Sequence, residues 1–469
     1  MARAAIEQAI QTAQDRLRQR PDDVTAHHQL GDALATLGDL PAAEAALRRA
    51  VEIQSDYAPA WARLGNVLRQ LGDAGGAIDA FEGAARITPD VAVLSNLGEA
   101  QSFALRLDES AATLARAVAL DPNHPVPHLN LGVTRRLQGR VEEAIAAFEA
   151  AIRLKGDFPQ ARYNLAIALL LLGDYPRGWE EFEWRLQPPD SGRTAQIFHA
   201  FPAWRGEPLD GRTILIHLEQ GFGDAFQFAR LIPLVAARGG RVLLECRPEV
   251  KRLLEPVEGV AQVVEQGQPM PAFDVQCPLM SLPRVLGTTL ENIPRDVTYL
   301  PPPPESTEMW KTKLAGTSGM KIGLAWSGSP TNTRNQLRSC PPEQLAPLFE
   351  LSGVTLVNLQ KGSPPPHEDV VDCTDQLTDW AETAALVANL DLVITVDTGI
   401  AHLAGAMGKP VWTMLSTAAD WRYLRGREDS PWYPTMRLFR QERLGDWSTV
   451  IERVRGALGE EIRGAARGG

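Results

Sequence analysis

The stretch Asp391–Leu403, which reads DLVITVDTGIAHL, decides the fold of the second half of this chain. Leu392–Val396 is an apolar run rich in β-branched residues, which predicts a buried strand. Asp397–Gly399 then predicts a tight turn, and Ile400–Met407 predicts a short helix that stops at Gly408. A helix N-terminus behind a strand is a place where α/β sheets bind phosphate, because free backbone N–H groups point at the ligand. The alternative is that Asp397 merely caps the helix.

Other apolar runs around this stretch predict two α/β halves. The first half has predicted strands at Thr213–Leu218, Arg241–Glu245, Val260–Glu265 and Phe273–Cys277, with a helix at Ala225–Arg238. The second half has predicted strands at Lys321–Trp326, Val354–Gln360, Leu392–Val396 and Val411–Leu415. Strands that alternate with helices favour parallel sheets with crossover helices. The four prolines of Pro301–Pro304 predict a break between two Rossmann-like halves, with a cleft between them.

The N-terminal third of the chain is periodic. Gly31, Gly65, Gly98 and Gly132 recur at intervals of 34, 33 and 34 residues, each directly after a leucine. A small residue and a large apolar residue follow at fixed positions in each unit. This pattern resembles the tetratricopeptide repeat, and five units follow a leading helix. Each unit is a helix pair that cannot bury its apolar face alone, so stacked units are expected to form a solenoid with a concave groove.

An asparagine recurs at one position of the repeats. Asn96, Asn130 and Asn164 are spaced by 34 residues. Such a ladder can hydrogen-bond the backbone of an extended peptide, and it resembles the ladder in the repeat domain of O-GlcNAc transferase. We therefore expect a protein or peptide acceptor in the repeat groove. The alternative is that Asn only stabilises the repeat.

The composition narrows the class of protein. The net charge of -11 argues against nucleic acid as a partner, because phosphate binding needs a basic surface. The four cysteines are far apart, fit no metal-site spacing and are interpreted as reduced thiols of a cytoplasmic protein. The longest apolar run, Leu165–Leu172, is too short to span a bilayer. No Asp-x-Asp pair occurs, so we expect no metal ion and no cofactor.

The first α/β half contains a glycine-rich loop at Glu219–Asp224, directly after its first predicted strand. Gly221 and Gly223 are expected to let the backbone turn beside a ligand. Asp224 is a candidate general base or an N-cap of the next helix, and both roles can coexist. A dinucleotide-binding loop is a further alternative, but Phe226 stands where that motif has its third glycine.

Three motifs in this order resemble glycosyltransferase family 9, the lipopolysaccharide heptosyltransferase family. They are Gly223-Asp224, then Ala325-Trp326-Ser327 with Arg338-Ser339, and then Asp397-Thr398-Gly399 with His402. The resemblance covers residues 209–455 and implies the GT-B fold, a nucleotide-sugar donor and inversion at the anomeric carbon. The family usually has Lys where this chain has Arg338. The family also lacks tandem repeats, so the layout as a whole is similar to that of O-GlcNAc transferase.

The resemblance implies a role for each residue. Asp224 would take the proton of the acceptor hydroxyl, while Arg338, Ser327 and the backbone of Thr398 and Gly399 would hold the donor diphosphate. Asp397 would cap the helix or bind a donor hydroxyl. His402 would face the diphosphate or pack under the loop, and Gln360 would line the nucleotide pocket. Trp421, Arg422, Trp432 and Tyr433 would frame the cleft or pack a domain interface.

We therefore expect an all-α tetratricopeptide repeat solenoid followed by an α/β GT-B glycosyltransferase. The expected domains are repeats at 1–187, a linker at 188–211, an acceptor-side domain at 212–304 and a donor domain at 305–469. The expected function is metal-independent transfer of a sugar from a nucleotide-diphosphate donor to a protein acceptor. The alternatives are a repeat scaffold with a non-catalytic transferase domain, and a transferase that acts on a glycan or lipopolysaccharide.

Overall fold

The computed structural model describes residues 2–187, 197, 199–295, 298–330 and 335–468. The chain divides into two compact units, Met1–Leu165 and Ala166–Gly469. Residues 188–196 and 198 of the predicted linker, and residue 469 at the end of the predicted donor domain, lie outside the described residues. Within the described part of the chain, no helix is both long and apolar enough to cross a bilayer.

The N-terminal region consists of a leading helix and five successive helix pairs. The helices are α1 (Ala2–Gln19), α2 (Val24–Leu37), α3 (Leu40–Ile53), α4 (Ala58–Leu71), α5 (Ala74–Ile87), α6 (Val91–Phe103), α7 (Leu107–Leu120), α8 (Pro125–Leu137), α9 (Val141–Leu154), α10 (Pro159–Leu172) and α11 (Tyr175–Phe182). The unit boundary falls inside α10, so α11 belongs to the second unit although the repeat pattern includes it.

The periodic glycines allow the two helices of a pair to approach closely. A Cβ atom placed on Gly65 would lie 2.7 Å from the ring of Phe81, and one on Gly132 would lie 2.5 Å from the ring of Phe148. Both rings are fully buried. The glycine at this phase therefore packs directly against the large apolar residue on the next helix, and this contact is repeated along the array.

The first α/β half contains a four-stranded parallel sheet in the order β3-β2-β1-β4. Its strands are β1 (Thr213–His217), β2 (Arg241–Cys246), β3 (Val260–Glu265) and β4 (Val275–Pro278). The second half contains a five-stranded parallel sheet in the order β6-β5-β7-β8-β9. Its strands are β5 (Met320–Ala325), β6 (Val354–Asn358), β7 (Leu392–Val396), β8 (Val411–Leu415) and β9 (Met436–Arg440). The predicted fold class, a repeat solenoid followed by two α/β halves, is confirmed.

Helices connect these strands in both halves. They are α12 (Phe222–Phe228), α13 (Ile232–Ala236), α14 (Lys251–Leu254), α15 (Leu282–Val285), α16 (Pro304–Lys313), α17 (Asn335–Arg338), α18 (Ala346–Phe349), α19 (Trp380–Ala388), α20 (Gly399–Ala406) and α21 (Ser448–Gly468). The core of the second half joins residues from the sheet to α21, among them Ile394, Trp412 and Val454. All five residues of β7 are buried, as its apolar sequence predicts.

Two details of the sequence prediction were wrong. The helix predicted at Ala225–Arg238 begins at Phe222 and is interrupted by a 3₁₀ turn at Ala229–Leu231. Pro233 lies in the first turn of α13 and has no N–H to continue the preceding helix, which explains the interruption. The edge strand β9 was not predicted, because Met436–Arg440 mixes arginine with apolar residues.

A cluster of aromatic side chains fixes α11 to the α/β part of the second unit. Trp179 of α11 contacts Trp421 edge-on at a ring distance of 5.2 Å, and it donates its N–H to the carbonyl of Thr288 at 2.9 Å. Tyr175 stacks on Trp432 and accepts its indole N–H at 3.0 Å. These rings are buried, so the last repeat helix is part of the core of the second unit. Of the two roles expected for Trp421 and Trp432, interface packing is the one observed.

We predict that Trp179→Ala destabilises the second unit by about 3–5 kcal/mol, because the change empties a buried site in this cluster. The measurement is thermal or urea unfolding followed by circular dichroism. Trp61→Ala is the matched control, since Trp61 lies half-buried in the repeats and packs on Gly83. Equal losses of unfolding free energy in the two variants would show that the aromatic cluster contributes no more to stability than the packing of Trp61 does.

Candidate active site

Each sheet has a switch point, where chain connections leave in opposite directions, and ligands of open α/β sheets bind there. In the first half the switch point is β1, which lies between β2 and β4. In the second half it lies between β5 and β7. The segments that follow these three strands contain Asp224, Ser327 and Asp397. The topology therefore brings the motifs found in the sequence to the ends of the sheets where binding is expected.

Asp224 lies in the first turn of α12 and not in a loop, which corrects the prediction for Glu219–Asp224. The N-cap is Gly221, and Asp224 is the third helical residue. The side chain of Asp224 therefore accepts the backbone N–H of the N-cap, as in a capping box. Its Oδ2 atom accepts the N–H of Gly221 at 2.7 Å, and its Oδ1 atom accepts a hydrogen bond from Nη2 of Arg422. Burial raises the pKa of Asp224, against the lowering effect of Arg422 and the Gly221 N–H.

Neither Gly221 nor Gly223 has a left-handed backbone, and Gly223 serves close packing. Gly221 has a φ of -75°, which any residue adopts. A Cβ atom on Gly223 would lie 2.7 Å from Cδ2 of His402. Gly223 therefore lets the first turn of α12 approach His402 of α20, which brings the two halves together beside Asp224.

The turn after β7 starts α20 as predicted, but Asp397 does not cap the helix. The N-cap is Thr398, whose hydroxyl pairs with that of Thr395 at 3.1 Å and makes no capping bond. Asp397 accepts the hydroxyl of Tyr423 at 2.9 Å. Burial, reinforced by Asp420, raises the pKa of Asp397 to about 6, against the lowering effect of Arg338 and Tyr423. Trp380 packs against Gly399, where a Cβ atom would lie 2.9 Å from its ring.

His402 is buried and points into the region between α12 and α20. Its Nδ1 atom lies 3.0 Å from the hydroxyl of Tyr433. Burial is the main cause that holds its pKa well below the usual range, and Arg422, Arg230 and Arg338 act in the same direction. His402 is thus a neutral imidazole packed under the first turn of α12, which was one of its two expected placements.

The segment after β5 is held by side-chain hydrogen bonds. Gln360 accepts the backbone N–H groups of Trp326 and Ser327 at 3.2 and 2.9 Å. The hydroxyls of Ser327 and Ser339 lie 3.0 Å apart. Gln360 therefore fixes the backbone of the loop that carries Ser327.

Arg338 lies in the short helix α17, directly over Gly328. A Cβ atom on Gly328 would lie 2.5 Å from its Nε atom. This Nε atom is buried and has no hydrogen-bond partner among the described residues. Arg338 lowers the pKa of both Asp397 and His402, so its positive charge lies near these two side chains. A buried, unpaired guanidinium N–H is a donor that an anionic ligand could satisfy.

Sequence reasoning assigned no catalytic or positioning role to Arg422 and Tyr423. They lie in a 3₁₀ turn, Trp421–Tyr423, that follows β8. Arg422 contacts Asp224, and Tyr423 contacts Asp397. The signal in the sequence is the mixture of charged and aromatic residues directly after a buried strand. The sequence could not show that one arginine would meet an aspartate 198 positions away.

The asparagines of the expected acceptor ladder make hydrogen bonds within the repeats. Asn164 donates to the carbonyl of Gln160 at 2.8 Å, and Asn130 donates to the carbonyl of Ser95 at 3.4 Å. Asn96 lies at the same phase and is half-buried. Both of these bonds use the amide nitrogen as the donor. Among the described residues, no cluster of three or more His, Cys, Asp or Glu side chains could hold a metal ion.

Comparison with known proteins agrees with both sequence resemblances. Residues 377–421 match the sequence model of glycosyltransferase family 9, described as heptosyltransferase. Tetratricopeptide repeat models match residues 2–59, 58–91 and 134–173. Protein FlbA of Caulobacter vibrioides is 31% identical, and the alignment covers 94% of this chain and 73% of FlbA. The predicted combination of repeats with a family 9 domain is confirmed.

Two solved structures of tetratricopeptide repeat proteins are similar to part of the chain. YrrB, described as having an unusual peptide-binding site, is 21% identical, with 38% of this chain and 92% of YrrB covered and a TM-score of 0.33. TTC0263 of Thermus thermophilus is 22% identical, with 38% of this chain and 97% of TTC0263 covered and a TM-score of 0.32.

The raised pKa of Asp397 predicts a pH-dependent stability. Protonated Asp397 is favoured in the folded chain, so its stabilising effect is complete below the ordinary pKa of 3.8 and is lost as pH rises through about 6. We expect the melting temperature of the wild type, relative to Asp397→Asn, to fall between about pH 4 and pH 7. The control is Asp429→Asn: Arg427 lowers the pKa of Asp429, so the stabilising effect of this carboxylate is complete above the ordinary pKa of 3.8, and the difference in melting temperature should be nearly constant between about pH 5 and pH 7. A pH-independent difference for Asp397→Asn would contradict the prediction.

Proposed function

Because the chain belongs to the same family as protein FlbA of Caulobacter vibrioides, and combines tetratricopeptide repeats with a glycosyltransferase family 9 domain, we propose that it transfers a sugar from a nucleotide-diphosphate donor to a protein acceptor. The observation that supports this best is the approach of α12 to α20. A partly buried carboxylate, Asp224, lies there in the first turn of α12, which packs against His402 of α20. Arg338, whose Nε atom has no hydrogen-bond partner among the described residues, acts on Asp397 and His402 of the same region.

In the proposed reaction the acceptor hydroxyl attacks the anomeric carbon of the donor sugar. The bond from that carbon to the diphosphate oxygen breaks, and Asp224 takes the proton of the hydroxyl. The backbone N–H groups at the start of α20 and the guanidinium of Arg338 stabilise the negative charge that develops on the leaving diphosphate. Attack from the opposite face inverts the anomeric carbon, which is the outcome that the resemblance to glycosyltransferase family 9 implies.

The charge state of the site fits an anionic donor without a metal ion. Because its pKa is raised to about 6, Asp397 is protonated more readily than an ordinary aspartate, and an approaching diphosphate favours the protonated form further. Arg338 contributes a positive charge, and the chain has no Asp-x-Asp pair to carry a divalent ion. We therefore propose that the transferase is metal-independent.

The nucleotide sugar is found by thermal-shift screening with ADP-, UDP-, GDP- and dTDP-sugars, because a ligand that binds the folded chain raises its melting temperature. We expect Asp224→Asn to bind that donor as the wild type does and to lose about 10²–10⁴-fold in transfer rate, since the base is removed. Asp429→Asn, an exposed carboxylate in the same unit, is the matched control and should keep its rate. A fully active Asp224→Asn variant would leave Asp224 as a structural cap only.

The acceptor is tested on the repeats. Each lost hydrogen bond from Asn130 or Asn164 to a peptide should cost about 0.5–1.5 kcal/mol, so Asn130→Ala/Asn164→Ala should raise the KM for a protein acceptor about ten-fold. Hydrolysis of the donor by water should not change. The control is Asn66→Ala, because Asn66 makes the same kind of bond to its own helix at another repeat phase. If the double variant only melts earlier and keeps its acceptor KM, the asparagines serve the repeat fold.

A further inference from the structure

The segment Asp420–Leu424, which follows β8, contacts both carboxylates of the candidate site. Arg422 donates to Asp224, which belongs to the first α/β half. The next residue, Tyr423, donates its hydroxyl to Asp397 at 2.9 Å, in the second half. Two adjacent side chains of one short turn therefore hold the two acidic groups of the site.

The guanidinium of Arg422 has a fixed orientation. Its Nη1 atom donates to Asp420 at 2.8 Å, its Nε atom donates to Gln227, and its Nη2 atom donates to Asp224. Its guanidinium carbon lies 4.4 Å from the ring centre of Trp421. Arg422 as a whole is only 8% exposed. With three different partners and a ring beside it, the planar group cannot turn without breaking several contacts.

The segment itself is anchored. Arg440 of β9 donates to the carbonyl of Tyr423 at 2.7 Å. Leu424 has a φ of 52°, a conformation that costs a leucine energy and persists only where the surroundings impose it. The position of Arg422 is therefore determined by the sheet of the second half, while its partners Asp224 and Gln227 lie on α12 of the first half.

We propose that Arg422 is a positioning residue for the candidate base, because it keeps the carboxylate of Asp224 ionised and oriented. Asp224 can then act as a base only when the turn after β8 is in contact with α12. This inference rests on the proposed function of Asp224. Without Arg422, the carboxylate would be buried next to Asp420 and Glu219, and burial and like charges both favour its protonated form.

The groups that face Asp224 come from three elements. Arg422 and Asp420 come from the turn after β8, Glu219 and the Gly221 N–H come from the segment after β1, and neutral His402 approaches from α20. Glu219 is itself paired with the buried Arg185 at 2.9 Å. Among these groups, Arg422 is the cation that is paired with Asp224.

The test measures the pKa of Asp224 directly, by NMR of ¹³C-carboxyl-labelled aspartate in the full chain, with the resonance assigned from Asp224→Asn. In Arg422→Gln we expect this pKa to be higher by about 1–3 pH units, because the paired cation is lost. In Arg422→Lys we expect a value above that of the wild type and below that of Arg422→Gln, since an ammonium group restores the charge but cannot reach three partners. If Arg422→Gln does not fold, the lysine variant decides the question, because a wild-type pKa in it overturns the proposal.

The matched control is Arg252→Gln. Arg252 of α14 also joins the two halves, through Asp379 at 2.8 Å and Glu382 at 3.2 Å on the other side. We expect the pKa of Asp224 to be unchanged in this variant. An unchanged pKa in Arg422→Gln, or an equal rise in Arg252→Gln, would overturn the proposal, because Arg422 would then act only as a link between the halves.

A second readout separates this inference from the proposed function. With the donor found by thermal shift, the acid limb of the pH profile of donor hydrolysis should move to higher pH in Arg422→Gln, in step with the NMR value. If the NMR value moves but Asp224→Asn keeps its rate, the proposed function fails and the ion pair remains. If Asp224→Asn loses its rate and the NMR value does not move, only the role of Arg422 fails.

Discussion

The candidate site depends on holding partly buried negative charge between the two α/β halves. A buried carboxylate must be paired, hydrogen-bonded or protonated, because the desolvation free energy of an unpaired charge is large compared with the net stability of a folded protein. Asp224 and Asp397 are held in different ways: Asp224 is paired with Arg422 and capped by a backbone N–H, whereas Asp397 accepts a tyrosine hydroxyl and has its pKa raised to about 6. The two aspartates are thus stabilised by different partners, an arginine for Asp224 and a tyrosine hydroxyl for Asp397.

The sequence could predict most of the fold because the signals are local. The run Leu392–Val396, with four apolar residues and Thr395, predicted β7. The glycine at a fixed phase predicted the helix pairs, since a close approach such as that of Gly65 to Phe81 leaves no room for a Cβ. The features that the sequence did not predict have no local signal in the sequence. The edge strand β9 carries arginines because its position leaves side chains near water, and the break before α13 depends on how Pro233 meets the preceding turn.

The candidate site could be predicted only in part, for a related reason. Asp224, Asp397 and His402 follow strands at the switch points, so strand order and motif together point to them. Arg422 and Tyr433 come from the chain beyond β8, and their partners are set by tertiary packing. Whether Asp397 caps a helix or accepts a tyrosine hydroxyl is likewise decided by side chains from distant parts of the sequence, and here the local preference of Asp for N-caps gave the wrong answer.

The buried aromatic side chains of α11 have a consequence for how the protein can be divided. Although the repeat pattern runs through Phe182, the rings of Tyr175 and Trp179 cover Trp421 and Trp432 in the second unit. A fragment that began at residue 212, where the first sheet starts, would leave these indoles facing water as an apolar patch. Such an exposed apolar surface promotes self-association of the fragment. The last repeat helix therefore belongs to the core of the second unit, and a fragment of the α/β part keeps these indoles covered only if it includes α11.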